Sequence, residues 1–230
     1  MTQTLNPPAV RSSPKKAAIL LVDDHPIVRK GLAQLIDHTA DLAVCAGLED
    51  AAAAMEYIRK SRPDLVVADL SLKDRNGLDL VKEIKAFDAT LPVLVLSMHD
   101  ESLHAERALR AGAQGYIMKE EATENVLEAI RKVLNGEIYV SNRVTARMLQ
   151  KMATTSPVSG GSPLQALTDR EHEIFLMIGN GLAAREIAAK LGLSSKTIDA
   201  HRENIKAKLG FKTGQELLRY AMQYTIDGNA

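Results

Sequence analysis

Two hydrophobic periods alternate along the first part of the chain. Short apolar runs lie at 17–22, 42–46, 65–68, 92–96 and 115–118. Between them, at 26–36, 49–59, 78–87, 101–111 and 123–134, apolar residues recur every three to four positions. A strand covered on both faces needs an unbroken apolar run, whereas a helix lying on that face needs only a stripe. Five strands in strict alternation with five helices therefore predict an α/β domain over 17–136, a doubly wound five-stranded parallel sheet of the flavodoxin-like kind. Such sheets hold their ligand crevice beyond the carboxyl ends of the strands, where strand order reverses.

After residue 136 the pattern changes. Residues 142–152 can form one further helix, but 153–163, ATTSPVSGGSP, has no apolar period and reads as linker, so 137–163 is expected to be a linker with a possible helix. Residues 1–16 are polar with prolines and are expected to form a flexible tail. Thr168-Asp-Arg-Glu171 is a capping box that starts a helix. Helical periods at 170–177, 184–191, 195–209 and 215–224 then predict a small all-α domain of four helices over 164–230.

Composition narrows the classes. A chain of 230 residues with 46% apolar positions can bury two modest cores. The single cysteine, Cys45, rules out an intramolecular disulfide; it is read as a small buried hydrophobe in a reducing cytoplasm. The apolar run at 17–22 is followed at once by Asp23 and Asp24, too short for a membrane span, and no membrane partner is expected. Charge balances to zero, with 20 basic against 21 acidic residues before Leu164 and nine against eight from there on. Bulk charge thus gives no sign of nucleic acid, and local patterning has to carry that case.

The chemistry collects at the strand ends. Asp23 and Asp24 close the first strand, Asp69 the third, Ser97 the fourth and Lys119 the fifth, so all five converge on one rim of the sheet. Carboxylates held together repel one another unless a cation joins them, and all-oxygen ligation suits Mg²⁺. With a metal and a lysine nearby, a carboxylate can attack a phosphoryl group, because charge on the transferring oxygens is neutralised from several sides.

The segments LVDDHP, VVADLSLKDRNGLDL, VLVLS and AGAQGYIMK, over about 17–134, closely resemble the receiver domains of two-component response regulators. The resemblance implies that Asp69 is the phosphoacceptor, that Asp24 binds Mg²⁺ directly with Asp23 assisting, and that the Ser71 backbone carbonyl completes the protein ligands. It also implies that Lys119 pairs with the phosphoryl group, that Ser97 donates its hydroxyl to it, and that Tyr116 changes rotamer on activation. Two positions depart from the pattern: Lys73 and Glu120 stand where receivers often carry proline. A non-proline cis bond costs about 3 kcal/mol, so Lys119–Glu120 is expected to be trans. His99 borders the pocket two residues past Ser97.

In the second domain, helix 184–191, a turn at Gly192 and helix 195–209 have the form that sets a second helix in a DNA major groove. The run LTDREHEIFLMIGNGLAAREIAAKLGLSSKTIDAHRENIKAKLG, 167–210, resembles the LuxR/FixJ helix-turn-helix, and with the receiver the chain resembles NarL/FixJ regulators. On the helical wheel Ile198, Ile205 and Leu209 face the bundle, with His201 toward that side. The expected DNA-facing set is Lys196, Thr197, Asp199, Ala200, Arg202, Glu203, Asn204, Lys206 and Lys208. Lys196, Arg202, Lys206, Lys208 and Lys212 against Asp199 and Glu203 give five basic to two acidic residues, enough for several phosphate contacts. The acidic pair lies where related regulators often carry basic or neutral base-reading residues; acidic side chains accept from cytosine N4.

The expected function is a phosphorylation-switched transcription factor rather than an enzyme. Its partners would be a sensor histidine kinase, double-stranded DNA and, once phosphorylated, a second copy of itself. Two other classes remain open on sequence. A haloacid-dehalogenase-type phosphohydrolase needs a second carboxylate two residues after the nucleophile, and Ser71 stands there. The acidic reading face also fits a receiver-regulated protein-interaction module or phosphate sink. No glycine-rich phosphate loop follows any strand, which argues against a nucleotide-cofactor enzyme.

Overall fold

The computed structural model describes residues 16–72, 75–98, 101–154 and 163–228. Most of the expected tail, residues 155–162 of the linker, Lys73 and His99 lie outside these. Strands β1 (Ala17–Val22), β2 (Leu42–Leu48), β3 (Leu65–Asp69), β4 (Val93–Ser97) and β5 (Gly115–Met118) form one parallel sheet in the order β2-β1-β3-β4-β5. Along each central strand successive residues point to opposite faces. Ile19, Leu21, Val67 and Leu96 pack under helices α1 (Pro26–Asp37) and α5 (Ala122–Leu134). Leu20, Val22, Val66 and Val95 pack under α2 (Ala51–Ser61), α3 (Gly77–Phe87) and α4 (Glu101–Arg110). Because β2 and β3 flank β1 on opposite sides, the order reverses between β1 and β3, and the crevice opens beyond their carboxyl ends.

Element boundaries shift for local reasons. Asp50 accepts from the Ala53 N–H at 2.7 Å and caps α2, so Glu49 stays outside that helix and β2 runs on to Leu48. Pro92 has no N–H to give a ladder and stays outside β4. Cys45 is half-buried rather than enclosed, packed against the α2 side of the core.

The β3–α3 loop returns the chain over the end of β3. A short bridge joins Ser71 to Asn76, and the Gly77 N–H donates to the Leu70 carbonyl at 2.7 Å. A Cβ on Gly77 would lie 2.1 Å from the Asp69 carbonyl oxygen and 2.7 Å from the Leu70 Cα, both backbone atoms that cannot step aside. Only glycine lets the chain return this closely over the end of β3.

Helix α6 (Asn142–Thr154) fills part of what reads as linker. Before it, Tyr139 pairs beyond β5: the Tyr116 N–H donates to its carbonyl at 2.8 Å and its own N–H donates to the Gln114 carbonyl at 2.9 Å, covering part of an open sheet edge. Val144 is buried against the α4 side of the core, and the Ser141 hydroxyl donates to Glu101 of α4.

The second unit comprises a 3-10 turn at Pro163–Ala166 and helices α7 (Asp169–Gly179), α8 (Ala184–Leu191), α9 (Ser195–Leu209) and α10 (Gly214–Gly228) around Ile174, Phe175, Ile187, Ile198, Ile205 and Leu217. The Thr168 capping box forms as the sequence predicts, with both reciprocal bonds present.

Gly77→Ala should lower the unfolding free energy by about 1–3 kcal/mol, because the methyl meets backbone rather than a yielding side chain. Urea denaturation followed by circular dichroism checks this; an unchanged midpoint would show that the loop can open at no cost.

Candidate functional site

The crevice between β1 and β3 holds the predicted rim residues. The ladder pairs Val22 with Ala68, Asp69 with Leu96 and Ser97 with Met118, which brings the ends of four strands to one level. The Lys119 ammonium lies 2.8 Å from Asp23 Oδ2 and 2.7 Å from Asp69 Oδ2, with all three side chains buried. The Lys119 N–H donates to the Ser97 carbonyl at 2.7 Å, and the Ser71 N–H donates to Asp69 Oδ1 at 3.2 Å. Burial pushes the Asp69 carboxyl above its ordinary value, with Asp23 adding to it against the pull of Lys119. Burial alone would lower the Lys119 ammonium, but the charges of Asp69 and Asp23 outweigh it and hold it above its ordinary value.

Asp23 Oδ2 and Asp24 Oδ1 are buried and accept no hydrogen bond of sound geometry, although Lys119 and His25 come close to them. Such oxygens fit a hard cation that takes all-oxygen ligation, such as Mg²⁺. His25 approaches the same carboxylates, a placement the sequence reading did not anticipate. Ser97 is fully buried at the end of β4, and Tyr116 is buried in the core on the α4 side. All peptide bonds of the described residues, Lys119–Glu120 included, are trans.

In the second unit α8 ends at Gly192, whose φ of 63° is the left-handed turn that swings the chain into α9. Ser194 caps α9 by accepting from the Thr197 N–H at 3.1 Å. Ile198 and Ile205 are buried, His201 is half-buried, and Lys196, Asp199, Ala200, Glu203, Asn204 and Lys208 are exposed, so the wheel drawn from sequence gives the observed rotation. Arg202, Lys206 and Thr197 are half-buried at its margins.

Two ion pairs alter the charge of this face. Lys206 lies 2.8 Å from Glu203, and Lys208 lies 2.6 Å from Glu171 of the α7 capping box.

The sequence matches the family described as "Response regulator receiver domain" over residues 19–131 and that described as "Bacterial regulatory proteins, luxR family" over residues 165–221. It is 33% identical over 212 residues to the Fimbriae Z protein of Salmonella typhimurium, covering 92% of this chain and 99% of that protein.

The chain belongs to the NarL/FixJ-type response regulators.

The oxygen regulatory protein NreC of Staphylococcus aureus is 34% identical over 209 residues, 89% of this regulator and 96% of that one. Among solved structures, RcsB of Salmonella enterica serovar Typhimurium bound to promoter rprA in the presence of the phosphomimetic BeF3− aligns over 90% of this regulator and 99% of that chain, at 26% identity and a TM-score of 0.59. A LuxR-family two-component response regulator from Aurantimonas sp. aligns over 60% of this chain and 99% of its own, at 34% identity and a TM-score of 0.56.

In this response regulator the receiver and the helix-turn-helix domain are docked through polar contacts. Asp169, the first residue of α7, accepts from Arg107 Nε at 2.9 Å and Nη2 at 2.7 Å, and from Lys82 Nζ at 2.5 Å. Arg107 also donates to the Leu167 carbonyl at 2.9 Å. Asn76, which caps α3, donates to Glu173 at 3.2 Å. The rings of His104 and His172 meet edge to face at 5.8 Å. Burial, with Arg107 alongside, depresses the His172 imidazole to about 3, and the docked ring is neutral.

None of these contacts has a sequence signal of its own, and Asp169 reads from sequence only as part of a cap. The outward face of α9 remains exposed in this docked arrangement.

Arg107→Ala should weaken docking by about 2 kcal/mol, roughly thirtyfold, because it leaves Asp169 with Lys82 alone. Small-angle scattering should then show a larger radius of gyration than for the wild type. Identical scattering would mean that Arg107 does not hold the domains together.

Proposed function

We propose that Asp69 is the phosphoacceptor of this transcription regulator and that its phosphorylation releases the docked helix-turn-helix domain to bind promoter DNA as a dimer. The observation that carries the reading is the Lys119 ammonium bridging Asp23 and Asp69 at the switch point, on a chain that also presents a capped and exposed α9. The receiver is taken as residues 17–136 and the DNA-binding domain as 164–230, working in the cytoplasm; among the described residues no helix is long and apolar enough to cross a membrane.

Asp69 attacks the phosphorus of a phosphohistidine on the sensor kinase, or of a small phosphodonor, as the bond to the leaving group breaks. Asp24, Asp23, Asp69 and the Ser71 carbonyl would hold Mg²⁺, which when bound neutralises charge on the transferring oxygens. Lys119 sits where it can exchange its bond to Asp69 for one to a phosphoryl oxygen. Ser97 donates its hydroxyl to the same group, and Tyr116 turns to occupy the space that this movement leaves.

The conformational link runs through the β3–α3 loop, since the Ser71 N–H bonds Asp69, Ser71 is bridged to Asn76, and Asn76 touches Glu173. Docking leaves the face of α9 open, so what it restrains is the placement of the domain rather than access to its helix. Once free, α9 enters the major groove, as suits a relative of RcsB, whose structures include a promoter complex and two dimers on two parallel DNAs. Leu218, Met222 and Ile226 form an exposed stripe at i, i+4 and i+8 on α10, suited to a second copy. The Ser71 position, with no carboxylate two residues after Asp69, argues against a phosphohydrolase.

A small phosphodonor with Mg²⁺ should label the wild type, while Asp69→Asn stays unlabelled and Asp24→Ala loses labelling together with metal binding. Undiminished labelling of Asp69→Asn would move the phosphosite elsewhere.

On DNA, Lys206→Ala should weaken all sequences alike and reduce the salt slope by about one. Glu203→Ala should relax preference at one base pair by about 1–3 kcal/mol and raise non-specific affinity, because it removes a repelling charge and frees Lys206. Gel shifts over a salt series read both effects. A reversal, with Lys206 setting the preferred sequence and Glu203 neutral, would mean that the helix docks in another rotation; no salt-dependent shift at all would favour the protein-interaction reading.

A further inference from the structure

We infer that His25 is a metal-selecting ligand of the acidic pocket, whose imidazole nitrogen makes this receiver bind borderline divalent cations such as Co²⁺ and Zn²⁺ more tightly than Mg²⁺. The inference rests on the reading of the pocket as a cation site. His25 Nδ1 lies 2.7 Å from Asp24 Oδ1, 3.2 Å from Asp23 Oδ1 and 3.7 Å from Asp69 Oδ2. One ligand atom from each of these four residues fits within a span of 4.8 Å. Ligands held about 2.0–2.2 Å from an ion lie about 2.8–3.6 Å from one another at tetrahedral or octahedral corners. The His25 spacings fall close to that range, with three carboxylates as its neighbours.

The backbone holds the ring there. The His25 N–H donates to Asp23 Oδ1 at 2.7 Å, and Pro26 after it keeps His25 extended, at φ −93° and ψ 105°, just ahead of α1. The side chain is 56% exposed, so a cation reaches the pocket from solvent past this nitrogen. Chemistry supplies the selectivity. Mg²⁺ takes oxygen ligands and keeps several waters, so an imidazole adds little to it. Imidazole suits zinc and its later first-row neighbours, and the Asp23 and Asp24 carboxylates beside His25 complete a mixed nitrogen and oxygen set.

The test is equilibrium dialysis of the full-length, tag-free protein with Co²⁺ alone and with Mg²⁺ alone at one fixed pH, comparing wild type, His25→Ala and Asp24→Ala. The pocket site is the Co²⁺ equivalent that Asp24→Ala abolishes, which separates it from Co²⁺ held by other histidines. The wild type should hold that equivalent at least about tenfold more tightly than Mg²⁺. His25→Ala should weaken it by at least about tenfold, on the scale set by loss of groups that merely support a ligand, while Mg²⁺ affinity changes by less than about twofold. The visible absorption of the bound Co²⁺ should change with the loss of a nitrogen ligand. Co²⁺ affinity that is unchanged in His25→Ala, or Co²⁺ and Mg²⁺ affinities that fall together, overturns the inference and leaves the Mg²⁺ reading intact. Mg²⁺ binding that survives Asp24→Ala overturns that reading instead, and the inference with it.

Discussion

Three carboxylates and one ammonium at the switch point set the terms for the receiver. Two like charges about 4 Å apart, at the effective dielectric near a protein surface, repel by on the order of 4 kcal/mol, and Asp23, Asp24 and Asp69 are held together by strands that cannot spread. Lys119 is the counter-charge the fold supplies, fixed by its own N–H on the Ser97 carbonyl. The four-strand register, the glycine under Asp69 and the buried Ser97 all serve to hold this arrangement rigid. A change of charge at Asp69 would therefore fall first on Lys119 and on the groups that hold it in place.

The loop that follows Asp69 also touches the second domain. Asp69 ends β3, Ser71 two residues on is bridged to Asn76, and Asn76 uses one end of its amide to cap α3 and the other to reach Glu173. Around it the interface includes Lys82, Arg107, Asp169 and a pair of histidines. Groups of this kind can be rehydrated when they part, which suits a contact made to be broken. The neutral state of buried His172 fits the same picture, since Arg107 lies beside it and a second cation there would be repelled.

The pocket was legible in the sequence because its chemistry sits at the ends of apolar runs, and strand ends in a doubly wound sheet share one rim. The orientation of α9 was legible for a similar reason: Ile198 and Ile205 fix the buried side and leave one rotation for the rest. The docked interface was not, because its partners are 62 residues apart for Arg107 and Asp169 and 97 for Asn76 and Glu173, and each has a sufficient local explanation as a cap or a surface charge. The pairs Lys206–Glu203 and Lys208–Glu171 escaped a count of charges because counting assigns no partners. His25 escaped for a different reason: a residue just before a proline-started helix reads as a turn, and only the extended backbone shows where its ring points.

The split of the docked contacts between two separate stretches of chain bears on how such regulators are recombined. Asn76, Lys82, His104 and Arg107 lie in one module, and Leu167, Asp169, His172 and Glu173 lie in the other. A hybrid that joins this receiver to a foreign output module across the stretch between α6 and the 3-10 turn inherits only half of that set. Its output module would be tethered but not held, so inheritance of the resting state follows the matched pair of surfaces rather than either fold alone.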